Sequence, residues 1–265
     1  MQEPSPPSLL EREGRETIAY RAMAGSAPGV MFCGGFMSDM TGTKARALEA
    51  HCRRTGRAFV RFDYSGHGAS GGAFRDGTIG AWRDDAMAVL DRVASGPQVL
   101  VGSSMGGWIV LLLALARPER VAGLVGVAAA PDFTEDLIWS TLDDAGRRTL
   151  AETGEIVMPC DYGDDPYPIT MGLIEEGRDH LLLGGPIALR CPIHLLQGMR
   201  DEDVPWRTAL RIAEKVESEH VVVELIKDGD HRLSRDEDLA RLTAAVDEIA
   251  RADAASNHGE HGGQR

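Results

Sequence analysis

Three residues far apart in the chain have the types needed for nucleophilic catalysis. The first lies in Gly102-Ser103-Ser104-Met105-Gly106, a G-x-S-x-G pattern. Such a pattern suits a sharp turn from strand to helix that pushes the middle serine out at a sheet edge. Residues 99–101 before it are apolar, and Gly107-Trp108 and a helix-like run follow. Two serines compete, and only Ser104 stands at the centre of the glycine spacing. Alone, the pattern also fits a plain Gly/Ser turn, so the reading depends on partners elsewhere.

The second residue follows the apolar run 193–196, in Gly198-Met199-Arg200-Asp201-Glu202-Asp203-Val204-Pro205-Trp206. Asp201 is the first acid after the predicted strand and its glycine. Glu202 and Asp203 are rivals for the same role, although acids there also serve as charges at a helix start. The third is His231, in Lys227-Asp228-Gly229-Asp230-His231, just past the last predicted strand. Serine is a poor nucleophile at neutral pH. His231 would accept its proton during attack and then pass it to the leaving group, while Asp201 holds the ring and favours the imidazolium. The tetrahedral intermediate carries an oxyanion that needs N–H donors. Met105, next after the nucleophile, would supply one. Phe36 would supply the other, from Cys33-Gly34-Gly35-Phe36, where glycines let the backbone come close. This chemistry calls for no metal and no organic cofactor. His51, His180, His194 and His220 read as structural or solvated, His67 as a turn stabiliser, and His258 and His261 as part of a solvated tail.

These residues must be positioned by elements, and the pattern alternates. Short apolar runs at 29–33, 58–62, 98–101, 121–127, 193–196 and 221–226 read as strands. Runs at 44–54, 79–95, 105–116, 206–216 and 237–251 read as helices. In the second helix, Trp82, Met87, Leu90 and Val93 are expected on the buried face. Repeated strand–helix order predicts an α/β fold: a mostly parallel sheet with helices on both faces. Residues 9–12 and 17–22 are expected to add an antiparallel pair at one edge. Residues 131–192 hold no clear strand. A structureless loop of that length is uncommon in a compact domain, so this stretch predicts a helical cap, about 132–190, over the carboxyl ends of the strands, where ligands bind in such sheets. The expected organisation is one domain over 9–251, with disordered tails at 1–8 and 252–265.

Composition narrows the function classes. A net charge of −13 disfavours nucleic-acid binding. No apolar run reaches the ~18 residues of a membrane span. Residues 1–7 lack the order of a signal or transit peptide. Cys33, Cys52, Cys160 and Cys191 form no C-x-x-C pair, and four free thiols in a reducing cytoplasm are expected.

The order Ser, Asp, His is that of α/β-hydrolases, and further segments resemble one branch of them. These are 59–66 (FVRFDYSG), 101–108 (VGSSMGGW), 116–119 (ARPE), 198–206 (GMRDEDVPW) and 230–232 (DHR). Together they resemble the abhydrolase-domain palmitoyl-protein thioesterases of mitochondria, also described as acyl-glucuronide esterases, over about 29–249. The oxyanion loop departs from that pattern, and the cap matches less well than the sheet. The resemblance implies a triad of Ser104, Asp201 and His231, and an oxyanion hole from Phe36 and Met105. It also implies an acyl ester or thioester substrate, a small molecule or an acylated protein. A peptidase or lactonase on the same machinery, and a non-catalytic binding protein, are the competing expectations.

Overall fold

The computed structural model describes residues 6–158 and 166–259, with side chains described to residue 252. Strands β1 (Ser8–Leu10), β2 (Ile18–Met23) and β3 (Ser26–Cys33) lead into α1 (Thr43–Thr55) and β4 (Arg57–Phe62). Then come α2 (Ile79–Arg92), β5 (Gln98–Ser103), α3 (Met105–Ala116) and β6 (Val121–Val127). An insertion follows, carrying α4 (Asp144–Thr153), β7 (Glu155–Met158), β8 (Tyr167–Thr170) and α5 (Met171–Gly177). The chain then returns to the sheet with β9 (Ile193–Gly198), α6 (Arg207–Lys215), β10 (Val221–Ile226) and α7 (Asp236–Gly259).

The sheet has eight strands in the order β1-β2-β4-β3-β5-β6-β9-β10. From β4 to β10 every pairing is parallel, while β1 with β2 and β2 with β4 are antiparallel. The expected edge pair is therefore β1 and β2. Every residue of β5 and of β9 is buried, because helices cover both faces of a parallel sheet. Strand alternation sends Leu100 into the layer under α2 and α3, and Val99 and Val101 into the layer under α1 and α7. The helix α3 is buried from Met105 to Ala114, as a helix apolar on all sides must be.

Helix α2 differs from its expected face. It buries Ile79, Trp82, Ala86, Val89 and Leu90, whereas Met87 and Val93 are half-buried at the edge. The helical period carries 79 to 82, 86 and 89, which puts Met87 beside the stripe, while Val93 continues it but falls past the helix's last residue, Arg92. Helix α7, expected over 237–251, continues into the expected tail as far as Gly259. Residues 1–5 and 260–265, including His261, lie outside the described residues.

The insertion leaves the sheet after β6 and returns at β9. Besides its two α-helices it holds a wide helical turn (Thr134–Ile138). It is not wholly helical, because β7 and β8 pair antiparallel. Ile156 and Val157 favour extended backbone, and a two-stranded ribbon tolerates Pro168 because both its strands are edges. Asp132, at the insertion's start, accepts the N–H groups of Leu182 and Leu183 near its end, each at 2.8 Å, and closes the insertion on itself. Two further ties dock it on the helices over the sheet. The indole N–H of Trp108 donates to the His180 carbonyl at 3.0 Å. Glu176 accepts the Gly80 N–H at 3.0 Å.

Candidate active site

Ser104 sits between β5 and α3 with φ +54 and ψ −118. That backbone is strained for a residue with a Cβ, and three hydrogen bonds hold it. The Ser104 N–H donates to Val127 O at 2.9 Å, and its carbonyl accepts from Gly107 and Ala130 N–H groups at 2.8 and 3.0 Å. The turn has no room for side chains at either flanking glycine. A Cβ at Gly102 would collide with the Gly106 carbonyl, and one at Gly106 would collide with the Cys33 carbonyl. The same crowding brings the end of β3 against the elbow.

Asp201 follows β9, and its side chain is wholly shielded from solvent. One oxygen, Oδ1, accepts the N–H groups of Asp203 and Val204 at 3.0 and 2.8 Å. The other, Oδ2, lies 2.9 Å from His231 Nδ1 and accepts from Gln197 Nε2 at 2.9 Å. The rival Asp203 approaches His231 Nδ1 only to 4.0 Å and is more than one-third exposed. Glu202 is exposed. Of the three acids, Asp201 alone is placed to orient the ring.

His231 lies in the turn after β10, which is laced to the Asp201 loop. Met199 N–H donates to Ile226 O at 2.8 Å, and Arg200 N–H to Gly229 O at 2.9 Å. Lys44, at the start of α1, donates to the Arg232 carbonyl at 2.5 Å and braces the turn from the far side. Burial lowers the Lys44 ammonium pKa to about 8, against a partly opposing pull from Asp230. An amine whose folded pKa lies below its ordinary 10.5 binds fewer protons folded than unfolded between those values, so its contribution to stability rises with pH across that window. Wild type should therefore gain stability over Lys44→Gln between about pH 8 and 10.5, measured by urea unfolding at each pH.

The loop expected to complete the oxyanion hole lies beside the elbow. A Cβ at Gly35 would sit 3.4 Å from Ser104 Cβ and 3.3 Å from Ser103 O. Met105 is the first residue of α3, where N–H groups have no intrahelical acceptor. The Phe36 ring packs against Phe74, Trp82, Phe133 and Tyr167. Asp63 steadies the base of this loop by accepting Met40 and Ala69 N–H groups at 2.6 and 2.8 Å. Burial raises the Asp63 carboxyl pKa despite those bonds.

Other ionisable groups nearby are poorly placed for chemistry. Among the described residues Cys33, Cys52 and Cys191 are free, and Cys160 lies outside them. Burial pushes the Cys33 thiol up to about 12, so it stays protonated at the end of β3. His67 is buried against Phe74 and Trp82, with Nδ1 3.2 Å from Ser65 O and a pKa lowered by burial. His51 meets Asp247 at 2.9 Å and His180 meets Glu176 at 2.8 Å, while His194 lies between Glu224 and Glu248. Asp201, Asp203 and His231 bring three ligand atoms within 4.8 Å of one another. Asp201 already has four hydrogen-bond partners in Gln197, Asp203, Val204 and His231. That donor set suits a histidine better than a cation.

Sequence reasoning misses Gln197, Asp132 and the aromatic rings around Phe36. Gln197 does leave a signal, as a polar residue after Leu195-Leu196 in a buried strand, just before Gly198. The rings leave none, since they come from separate segments.

A family model described as serine aminopeptidase S33 (Hydrolase_4) matches residues 29–153. The mouse protein named "Palmitoyl-protein thioesterase ABHD10, mitochondrial" is 42% identical over 243 residues, covering 91% of this chain and 82% of that one. A solved structure of mouse alpha/beta hydrolase domain-containing protein 10 superposes with a TM-score of 0.86 at 41% identity, over 92% of this chain and 97% of that one. A putative hydrolase from Agrobacterium vitis gives 0.88 at 42% identity, over 94% and 100%. These relatives also correct one expectation. The cytoplasmic placement does not stand, because the mouse and human relatives are named as mitochondrial. Free thiols and an acidic charge do not separate one reducing compartment from another. No helix among the described residues is long and apolar enough to cross a membrane. By its sheet order, its strand-to-helix elbow and this identity across nearly its whole length, the chain belongs to the α/β-hydrolase family, among the relatives of ABHD10.

Proposed function

We propose that this protein hydrolyses carboxylic ester or thioester bonds through an acyl-enzyme on Ser104. His231 takes the serine proton during attack and returns it to the leaving alcohol or thiol. Water then repeats the cycle in reverse order and releases the acid. Asp201 keeps the His231 proton on Nδ1, so that Nε2 is the basic nitrogen. The N–H groups of Phe36 and Met105 receive the oxyanion. The observation carrying this reading is the pair formed by a strained serine at φ +54 and a fully shielded aspartate 2.9 Å from a histidine ring.

Residues 132–190 are read as the cap that selects the acyl group. The relatives' name supports long acyl thioesters as the substrate class, including acylated proteins. The name of the matched family, serine aminopeptidase S33, keeps amide hydrolysis as the second reading.

Turnover of paired oxoesters and thioesters from acetyl to palmitoyl, with Ser104→Ala as blank, tests the proposal. Rates that climb toward long thioesters are expected. A maximum at acetyl or butyryl would remove the long-chain assignment and leave the esterase. Faster cleavage of peptide amides would favour the second reading, and Ser104-independent turnover would end the scheme.

A further inference from the structure

We propose that Tyr167, on strand β8 of the insertion, is a positioning residue for the oxyanion loop, acting through the ring of Phe36. The inference rests on the reading of Phe36 as an oxyanion donor. Four rings surround that side chain. Phe74 stands at 4.8 Å between centroids, Tyr167 at 5.4 Å, Phe133 at 5.6 Å and Trp82 at 5.7 Å. All four cross it at 64–77°, the edge-to-face arrangement that aromatic pairs favour.

Three of the rings are locked against the main body of the fold. Trp82 is fully buried and its indole N–H donates to Ser65 O at 3.1 Å. Phe133 is buried and packs on Trp108 at 5.8 Å. Phe74 packs on Trp82 at 5.9 Å. Tyr167 reaches in from the β7–β8 ribbon and closes the fourth side.

The backbone at Phe36 has little else to hold it. The next residue, Met37, has φ +55 and is exposed. A 3.2 Å bond, from Ser38 N–H to Gly35 O, spans the turn. The direction of the Phe36 N–H therefore depends on where its ring is clamped. A donor aimed at the oxyanion matters in the transition state and little in the ground state. The ribbon thus contributes to catalysis without touching the substrate.

The test compares the full-length enzyme with Tyr167→Ala, Tyr167→Phe and, as control, Val157→Ala at an exposed site on β7. The readouts are kcat and KM for a p-nitrophenyl ester, and Ki for a trifluoromethyl ketone with the same acyl chain. For Tyr167→Ala the expected result is kcat lower by roughly 10- to 100-fold, with KM little changed and the ketone weakened in step. Tyr167→Phe should recover most of the loss, and Val157→Ala should match wild type. Should Tyr167→Ala fail to fold, Phe74→Leu loosens the same cage from another side and must lower kcat alone. A raised KM with kcat kept, an unaltered ketone Ki, or a Phe variant as impaired as the Ala variant would each overturn the inference. Hydrolysis that survives Ser104→Ala would instead sink the catalytic reading itself, an outcome separable from a Tyr167→Ala enzyme with normal Ser104-dependent turnover.

Discussion

Ser104→Ala is expected to lower kcat by about 10⁴- to 10⁶-fold, the range spanned by triad knockouts in serine proteases of other folds. Substrate affinity should be nearly unchanged, because the hydroxyl forms its bond after binding. The substitution keeps a Cβ and so keeps the strain at φ +54, which predicts a melting temperature close to wild type. Ser104→Gly separates the two roles of this position. It should be as inactive, yet more stable by about 1 kcal/mol, because glycine adopts positive φ without a steric penalty. Thermal melts beside a burst assay check both statements. Ser103→Ala is the companion control and should keep its activity. If Ser103→Ala were dead and Ser104→Ala active, the nucleophile would have been assigned to the wrong serine.

Asp201→Asn should lower kcat by about 10⁴-fold, the loss that the same exchange causes in a protease triad. The geometry here gives the reason. The Asn amide oxygen can still accept the N–H groups of Asp203 and Val204, as Oδ1 does now. Its NH₂ then occupies the place of Oδ2, facing Gln197 Nε2 and His231 Nδ1, each 2.9 Å away. Two donors meeting there push the His231 proton onto Nε2, and the ring can no longer accept from Ser104. Asp203→Asn leaves that contact intact and should cost under about tenfold in kcat. Equal losses in the two variants, measured as kcat at neutral pH, would mean that the acid role is shared.

Much of this site is legible in the amino-acid sequence, for a physical reason. A strand buried on both faces leaves a mostly apolar run, so β5, β6 and β9 stand out even with Gln98, His194 and Gln197 among them. The residues proposed for catalysis then lie in the turns beyond strands: Ser104 directly after β5, Asp201 three positions after β9 and His231 five after β10. Ser104 is also marked by glycines that the elbow's crowding demands. The choice among Asp201, Glu202 and Asp203 needs three dimensions, because it turns on a difference between 2.9 and 4.0 Å to one nitrogen. The β7–β8 ribbon escapes a reading by pattern because its strands are four residues each and one carries Pro168. The face of α2 is misjudged at Met87, which is apolar yet lies beside the buried stripe, and at Val93, which falls past the helix's last residue. The cage around Phe36 joins positions 36, 74, 82, 133 and 167. Contacts of that range leave no periodicity to read.

The insertion departs from the end of β6 and returns at the start of β9, and those two strands are direct neighbours, with Leu124 opposite Ile193 and Val127 opposite Leu196. Its two ends are therefore held about 11 Å apart by the ladder itself, one strand spacing across and a few residues along. For a segment whose ends are already fixed, doubling its length adds only about 0.6 kcal/mol of closure entropy. A longer or shorter segment grafted at this seam should thus cost little in chain entropy, while Ser104, Asp201 and His231 keep their places in the turns after β5, β9 and β10, outside the graft. The seam turns the segment proposed to choose the substrate into an exchangeable module. An exchanged segment would have to replace the ties to Trp108 and Gly80 and the pair of rings, Phe133 and Tyr167, that the insertion sends to Phe36.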